Sequence, residues 1–70
     1  MYQNILTNVA LLQIGDVFTG YGETNVIIGV EPVRDYYTRI TWISVSGEEN
    51  PTKHIVEMLS QTRFVCNRIM

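Results

Sequence analysis

The sequence predicts a mainly β protein: one small, strongly bent antiparallel sheet or small barrel, with a single short helix near the C-terminus. Three observations carry that expectation. The run Val26-Ile27-Ile28-Gly29-Val30 is almost wholly β-branched, which suits a strand covered on both faces or central in a sheet. The segment Tyr36 to Ser46 is nearly all aromatic, β-branched or hydroxylated, the composition of a second long strand. The whole chain has only 70 residues, so it forms one domain, and short bent strands in so small a body gain most by curling until their edges are protected.

The elements follow in order. Residues 1–12 carry Ile5, Leu6, Val9, Leu11 and Leu12, a spacing that fits a short helix or an extended arm. Gly15-Asp16 marks a turn into a first strand, Val17-Phe18-Thr19, and Gly20-Tyr21-Gly22-Glu23 forms the loop after it. The strand Thr24 to Glu31 contains Gly29, read as a bulge or sharp bend. Pro32 is expected to end its central pairing, because proline has no N–H to give to a ladder. Asp35 then occupies the tip of a hairpin. In the following strand Ile40 and Trp42 share one face while Ile43 and Val45 share the other, which predicts a bulge near Trp42 or cover on both faces. Gly47-Glu48-Glu49-Asn50 reads as a polar turn, and Asn50-Pro51 as a helix cap with proline in the first turn. Ile55, Met58 and Leu59 then give the spacing of one short helix over Pro51 to Ser60. A last strand, Arg63 to Ile69, pairs back onto the sheet.

Composition removes several classes of function. Seven acidic against five basic side chains give a net charge of −2, so no polycation is present to coat a nucleic acid. One cysteine and one histidine fall short of a three- or four-ligand zinc set and allow no internal disulfide. No cofactor motif is present: Gly20-Tyr21-Gly22 is too short to cradle a phosphate. The first residues lack a basic region followed by a long apolar run, so the expected location is the cytoplasm, with no membrane partner. Hydrophobic residues make up 46% of the chain, which in so small a body suggests apolar surface left over for a partner protein or for a second copy in a homodimer, with a tight monomer as the equal alternative.

Catalysis finds little support. His54 with Glu57 three residues on would share one side of the predicted helix, the common arrangement of a solvated pair. Cys66 lies on a strand the core needs and reads as a buried, inert thiol. The chain is expected to be no enzyme.

The informative group is Arg34, Tyr36, Tyr37, Arg39 and Trp42, which places large flat rings and guanidinium groups on one hairpin. Such residues dominate interface energies because they bury much area for little lost rotamer freedom. The expected function is therefore a non-enzymatic interaction module that binds a partner protein through this hairpin. For Trp42 a place in the core is the stronger reading. The alternative function is a small barrel that stacks and clamps a nucleic acid or nucleotide with the same residues, although Glu31 and Asp35 interrupt the basic patch.

The run Leu12-Gln13-Ile14-Gly15-Asp16-Val17-Phe18 resembles the opening of small SH3-like barrels, where an apolar-x-apolar-Gly-Asp stretch leads into the first strand. The resemblance covers the first half of the chain. It departs from that pattern in lacking a peptide-binding acidic loop and the basic glycine-rich turn of barrels that contact RNA. In size and composition the chain also resembles short bacteriophage proteins made early in infection. That likeness implies an inhibitor of a host factor acting in the host cytoplasm.

Overall fold

The computed structural model describes residues 1–20, 22–45 and 51–70. Six antiparallel strands form a single bent sheet: β1 (Tyr2–Asn8), β2 (Val17–Gly20), β3 (Glu23–Arg34), β4 (Tyr37–Ser44), β5 (Lys53–Leu59) and β6 (Arg63–Ile69), in the order β1-β6-β2-β3-β4-β5. The sheet curls without closing, so β1 and β5 are its edges. The mainly β class is as expected.

The N-terminal arm is a strand and not a helix. All seven residues of β1 pair with β6, from Tyr2 opposite Ile69 to Asn8 opposite Arg63. A 3-10 turn, Val9–Leu11, then carries the chain across one end of the curl. It is tied to the β5–β6 turn by Val9 N–H to the Thr62 carbonyl (2.9 Å) and Ala10 N–H to the Ser60 carbonyl (3.3 Å).

The predicted helix over Pro51 to Ser60 is also a strand. Seven residues of β5 ladder onto β4, from Ile43 opposite Lys53 to Tyr37 opposite Leu59. In seven residues the spacing of Ile55, Met58 and Leu59 satisfies a helix, but His54, Val56 and Met58 also alternate with Lys53, Ile55, Glu57 and Leu59. The waiting edge of β4, with its unpaired N–H and C=O groups, decides between the two. The turn Gly47-Glu48-Glu49 and the cap at Asn50 lie outside the described residues, as does Tyr21 in the β2–β3 turn.

Two further expectations are corrected and one is met. Pro32 does not end its strand: β3 continues to Arg34, with Pro32 opposite Thr38. β4 has no bulge and alternates cleanly, burying Thr38, Ile40, Trp42 and Ser44 on its inner face. The irregularities lie in β3: Ile28 is the extra residue between Ile27 and Gly29, across from Trp42 and Thr41, and Val33 is a second one between Pro32 and Arg34. Gly29 therefore marks a bulge as anticipated, and the bulge helps the long strand bend.

The inner face holds Val9, Leu12, Phe18, Ile27, Ile40, Trp42 and Cys66, flanked by Ile5, Val30, Met58 and Phe64. Phe18 is the hinge of this core, meeting Trp42 at 5.3 Å and Phe64 at 4.9 Å, both edge to face. Each such ring pair contributes about 0.5–1.5 kcal/mol beyond the area it buries. The outer face is read from the register: the row Asn4, Asn67, Val17, Val26, Ile43 and Lys53 crosses all six strands.

Candidate functional site

The β3–β4 hairpin places the predicted residues unequally. Trp42 is only 6% exposed and belongs to the core, between Phe18 and a parallel-stacked His54 at 5.4 Å. It is removed from the partner-binding set. Its Nε1–H is buried and has no hydrogen-bond partner among the described residues, so Trp42 fills volume without anchoring a polar network.

Tyr37 and Arg39 lie on the outer face of β4, opposite Leu59 and Glu57 of β5. Arg34 and Glu31 join them from β3, opposite Tyr37 and Arg39. The charged groups form one chain. Arg39 donates to Glu31 (3.0 Å) and to Glu57 (3.3 Å), and Glu57 also accepts from Arg34 (2.8 Å). The Arg34 guanidinium lies 4.3 Å from the Tyr37 ring centroid. Glu31, and then Glu57, push the Arg39 pKa above its ordinary value. Ion pairs this open to water add little to stability. Their effect is to hold Tyr37 and both arginines in place.

Tyr36 stands apart. It has φ 68°, the only positive φ outside glycine among the described residues, and side-chain sterics disfavour that region by about 1–2 kcal/mol for a residue of this kind. The turn is held nonetheless, because the Tyr36 carbonyl accepts a 2.7 Å bond from Ser60 N–H. The result is a ring that is 76% exposed. With Leu59, itself exposed, and Gln61 it lines an open depression of about 280 Å³.

The catalytic candidates are separated by the fold. Residues three apart on a strand point to opposite faces, so Glu57 faces out to the arginines while His54 faces in against Trp42. Cys66 is buried on β6 opposite Ile5. Burial, and then the neighbouring Asp16 carboxylate, raise its thiol pKa, the reverse of an activated nucleophile. Among the described residues no group of three or more His, Cys, Asp or Glu could hold a metal ion, and no helix is long and apolar enough to cross a membrane.

One constellation escaped the sequence reading. Asp16, 1% exposed, receives Arg68 Nε and Nη2 on its two carboxylate oxygens at 2.9 Å each and Gln13 N–H at 2.8 Å. Arg68 Nη2 also reaches the Leu11 carbonyl at 3.3 Å. This clasp fixes the turn before β2 to β6. Gly15, with φ 97°, makes the turn possible, and the Gly15–Asp16 pair is bonded to the Ile27 backbone in both directions at 2.8 Å. The only local signal was an aspartate after a turn glycine; its partner is 52 residues away. No family model, curated protein or solved structure matches the chain.

Proposed function

We propose that this protein is a non-enzymatic interaction module whose working surface is the tip of the β3–β4 hairpin together with the outer face of β5. The observation that carries this reading is Tyr36: a large ring kept in a disfavoured backbone conformation and turned toward solvent. Strain of this kind persists where the surrounding structure over-determines it, and it clusters at functional positions. The partner is a protein that inserts an apolar side chain between Tyr36 and Leu59. The rim of Arg34, Arg39, Glu31 and Glu57 offers both signs of charge to polar groups around that anchor.

A nucleic-acid or nucleotide ligand has less support. Both arginines are already matched by carboxylates, so a phosphate would have to displace them. One face of Tyr37, which a base would stack on, is covered by Arg34. Single-stranded oligonucleotides are expected to leave fluorescence anisotropy unchanged even in low salt, where a phosphate-binding site would respond most strongly.

The test uses Tyr36→Asn, because asparagine tolerates positive φ. Relief of strain should raise stability to urea by about 1 kcal/mol, while cross-linking of partner proteins falls to background. Val65→Ser, on the outer face of β6, should keep the partners. A Tyr36→Asn protein that captures the same partners as the parent would remove the hairpin tip from the surface.

A further inference from the structure

The two edges of the sheet are protected very differently. An edge strand offers a row of unpaired N–H and C=O groups to any other strand, and proteins blunt it with charge, proline or cover. β5 carries Lys53, His54 and Glu57, the last held in the arginine network. β1 reads Tyr-Gln-Asn-Ile-Leu-Thr-Asn, seven residues without a charge, a proline or a glycine. It pairs with β6 along its full length, and among the described residues no strand lies beside its other edge.

The surface beside that edge is apolar as well. Tyr2 and Leu6 on β1, and their partners Ile69 and Val65 on β6, are each more than half exposed on the outer face. An open groove of about 570 Å³, lined by Tyr2, Val17, Thr24, Val26, Val45 and Asn67, continues it toward the middle of the sheet. Among the described residues no charged side chain lines it.

We propose that β1 is the interface for a second copy of this chain, the two β1 strands pairing antiparallel across a two-fold axis so that the sheets join. Charge and extent select that occupant. Reversed upon itself, β1 meets uncharged residues in every register, so self-pairing meets no like-charge repulsion. The seam is about 23 Å long at roughly 3.3 Å per residue. Tyr2 and Leu6 of each copy reach their diagonal neighbours across it, about 7–8 Å away. The strip exposed by Tyr2, Leu6, Val65 and Ile69 is on the order of 400 Å² per copy, against about 800 Å² in a standard interface. The dimer is therefore reversible and depends on concentration. This surface is separate in sequence and register from the hairpin tip proposed to bind a partner.

Light scattering on the full chain tests this directly. The mass should climb from 8.0 kDa toward twice that value between micromolar and several hundred micromolar protein. Leu6→Lys puts two like charges at the seam and should hold the mass at that of one chain while leaving the circular dichroism spectrum unchanged. Ile55→Lys, on the opposite edge, should dimerise like the parent. Hydrogen exchange gives a readout independent of mutation: outward-pointing amides of β1 should gain protection as concentration rises. A parent that stays monomeric throughout the range overturns the proposal. So does a dimer that Ile55→Lys dissociates and Leu6→Lys leaves intact.

Discussion

Asp16→Asn should lose about 3 kcal/mol of folding stability at neutral pH, the low end of what breaking a buried ion pair costs. The low end applies because Arg68, unlike Asp16, keeps some contact with water. A lone core of this size contributes roughly 3–5 kcal/mol net, so the variant should be substantially unfolded at room temperature. The substitution preserves shape, and an amide oxygen can still accept from Gln13 N–H. What it removes is the charge that Arg68 answers with two parallel bonds.

The pH dependence separates charge from packing. Burial pushes the Asp16 pKa up, but hydrogen bonds from Arg68 and Gln13 and the charge of Arg68 outweigh it, and the net shift is downward. A carboxyl whose folded pKa is depressed adds stability that is present above the unfolded value, about 3.9, and lost as pH falls through the folded one. Urea titrations of the parent and Asp16→Asn should therefore differ by a steady amount from pH 7 down to about pH 4 and converge only below that, as pH falls through the depressed folded pKa. A gap that persists undiminished well below pH 4 would mean that the side chain's shape, and not its ionisation, holds the turn.

That clasp also shows where the sequence stops being informative. β3, β6, the Asp35 hairpin tip and the Gly29 bulge were all legible, because each rests on signals within a few residues: β-branched runs, turn formers, one glycine inside a strand. β5 was not. Its apolar spacing satisfies a helix and a strand equally, and the choice was made by β4, a strand whose pairing needs lie elsewhere in the chain. The same misreading paired Glu57 with His54 in sequence, whereas on a strand it turns outward to Arg34 and Arg39. Of the site, Arg34, Tyr36, Tyr37 and Arg39 were visible as residue types, and the strained backbone that exposes Tyr36 was not. Trp42 illustrates the opposite limit. An aromatic on a hairpin can face either way, and only the register that sets Ile27 opposite it decides for the core.

Asn25→Asp should be the second severe substitution, and its deficit too should shrink in acid, here because the variant's own carboxyl takes up a proton and not because the parent loses a charge. Asn25 is 1% exposed and fastens three strands. Its amide nitrogen faces the carbonyls of Phe18 (3.4 Å), Gly20 (3.3 Å) and Glu23 (3.3 Å), and its oxygen accepts from Ser44 Oγ at 3.0 Å. Aspartate is the same size but, when ionised, only accepts. The new oxygen would meet three carbonyl oxygens in place of a donor, with a charge that no cation answers. The expected loss at pH 7 is about 3 kcal/mol or more, combining an unpaired buried charge with orphaned carbonyls. Here the folded pKa is raised above the unfolded value of about 3.9, because only the protonated acid can donate to a carbonyl. The penalty is accordingly smallest below that value and grows as pH rises toward the folded pKa. Measured as the difference from the parent, which cancels the Asp16 contribution, the gap should shrink on acidification. A difference independent of pH would show that aspartate escapes to solvent, and that the Asn25 clamp is not what holds the β2–β3 turn against β4.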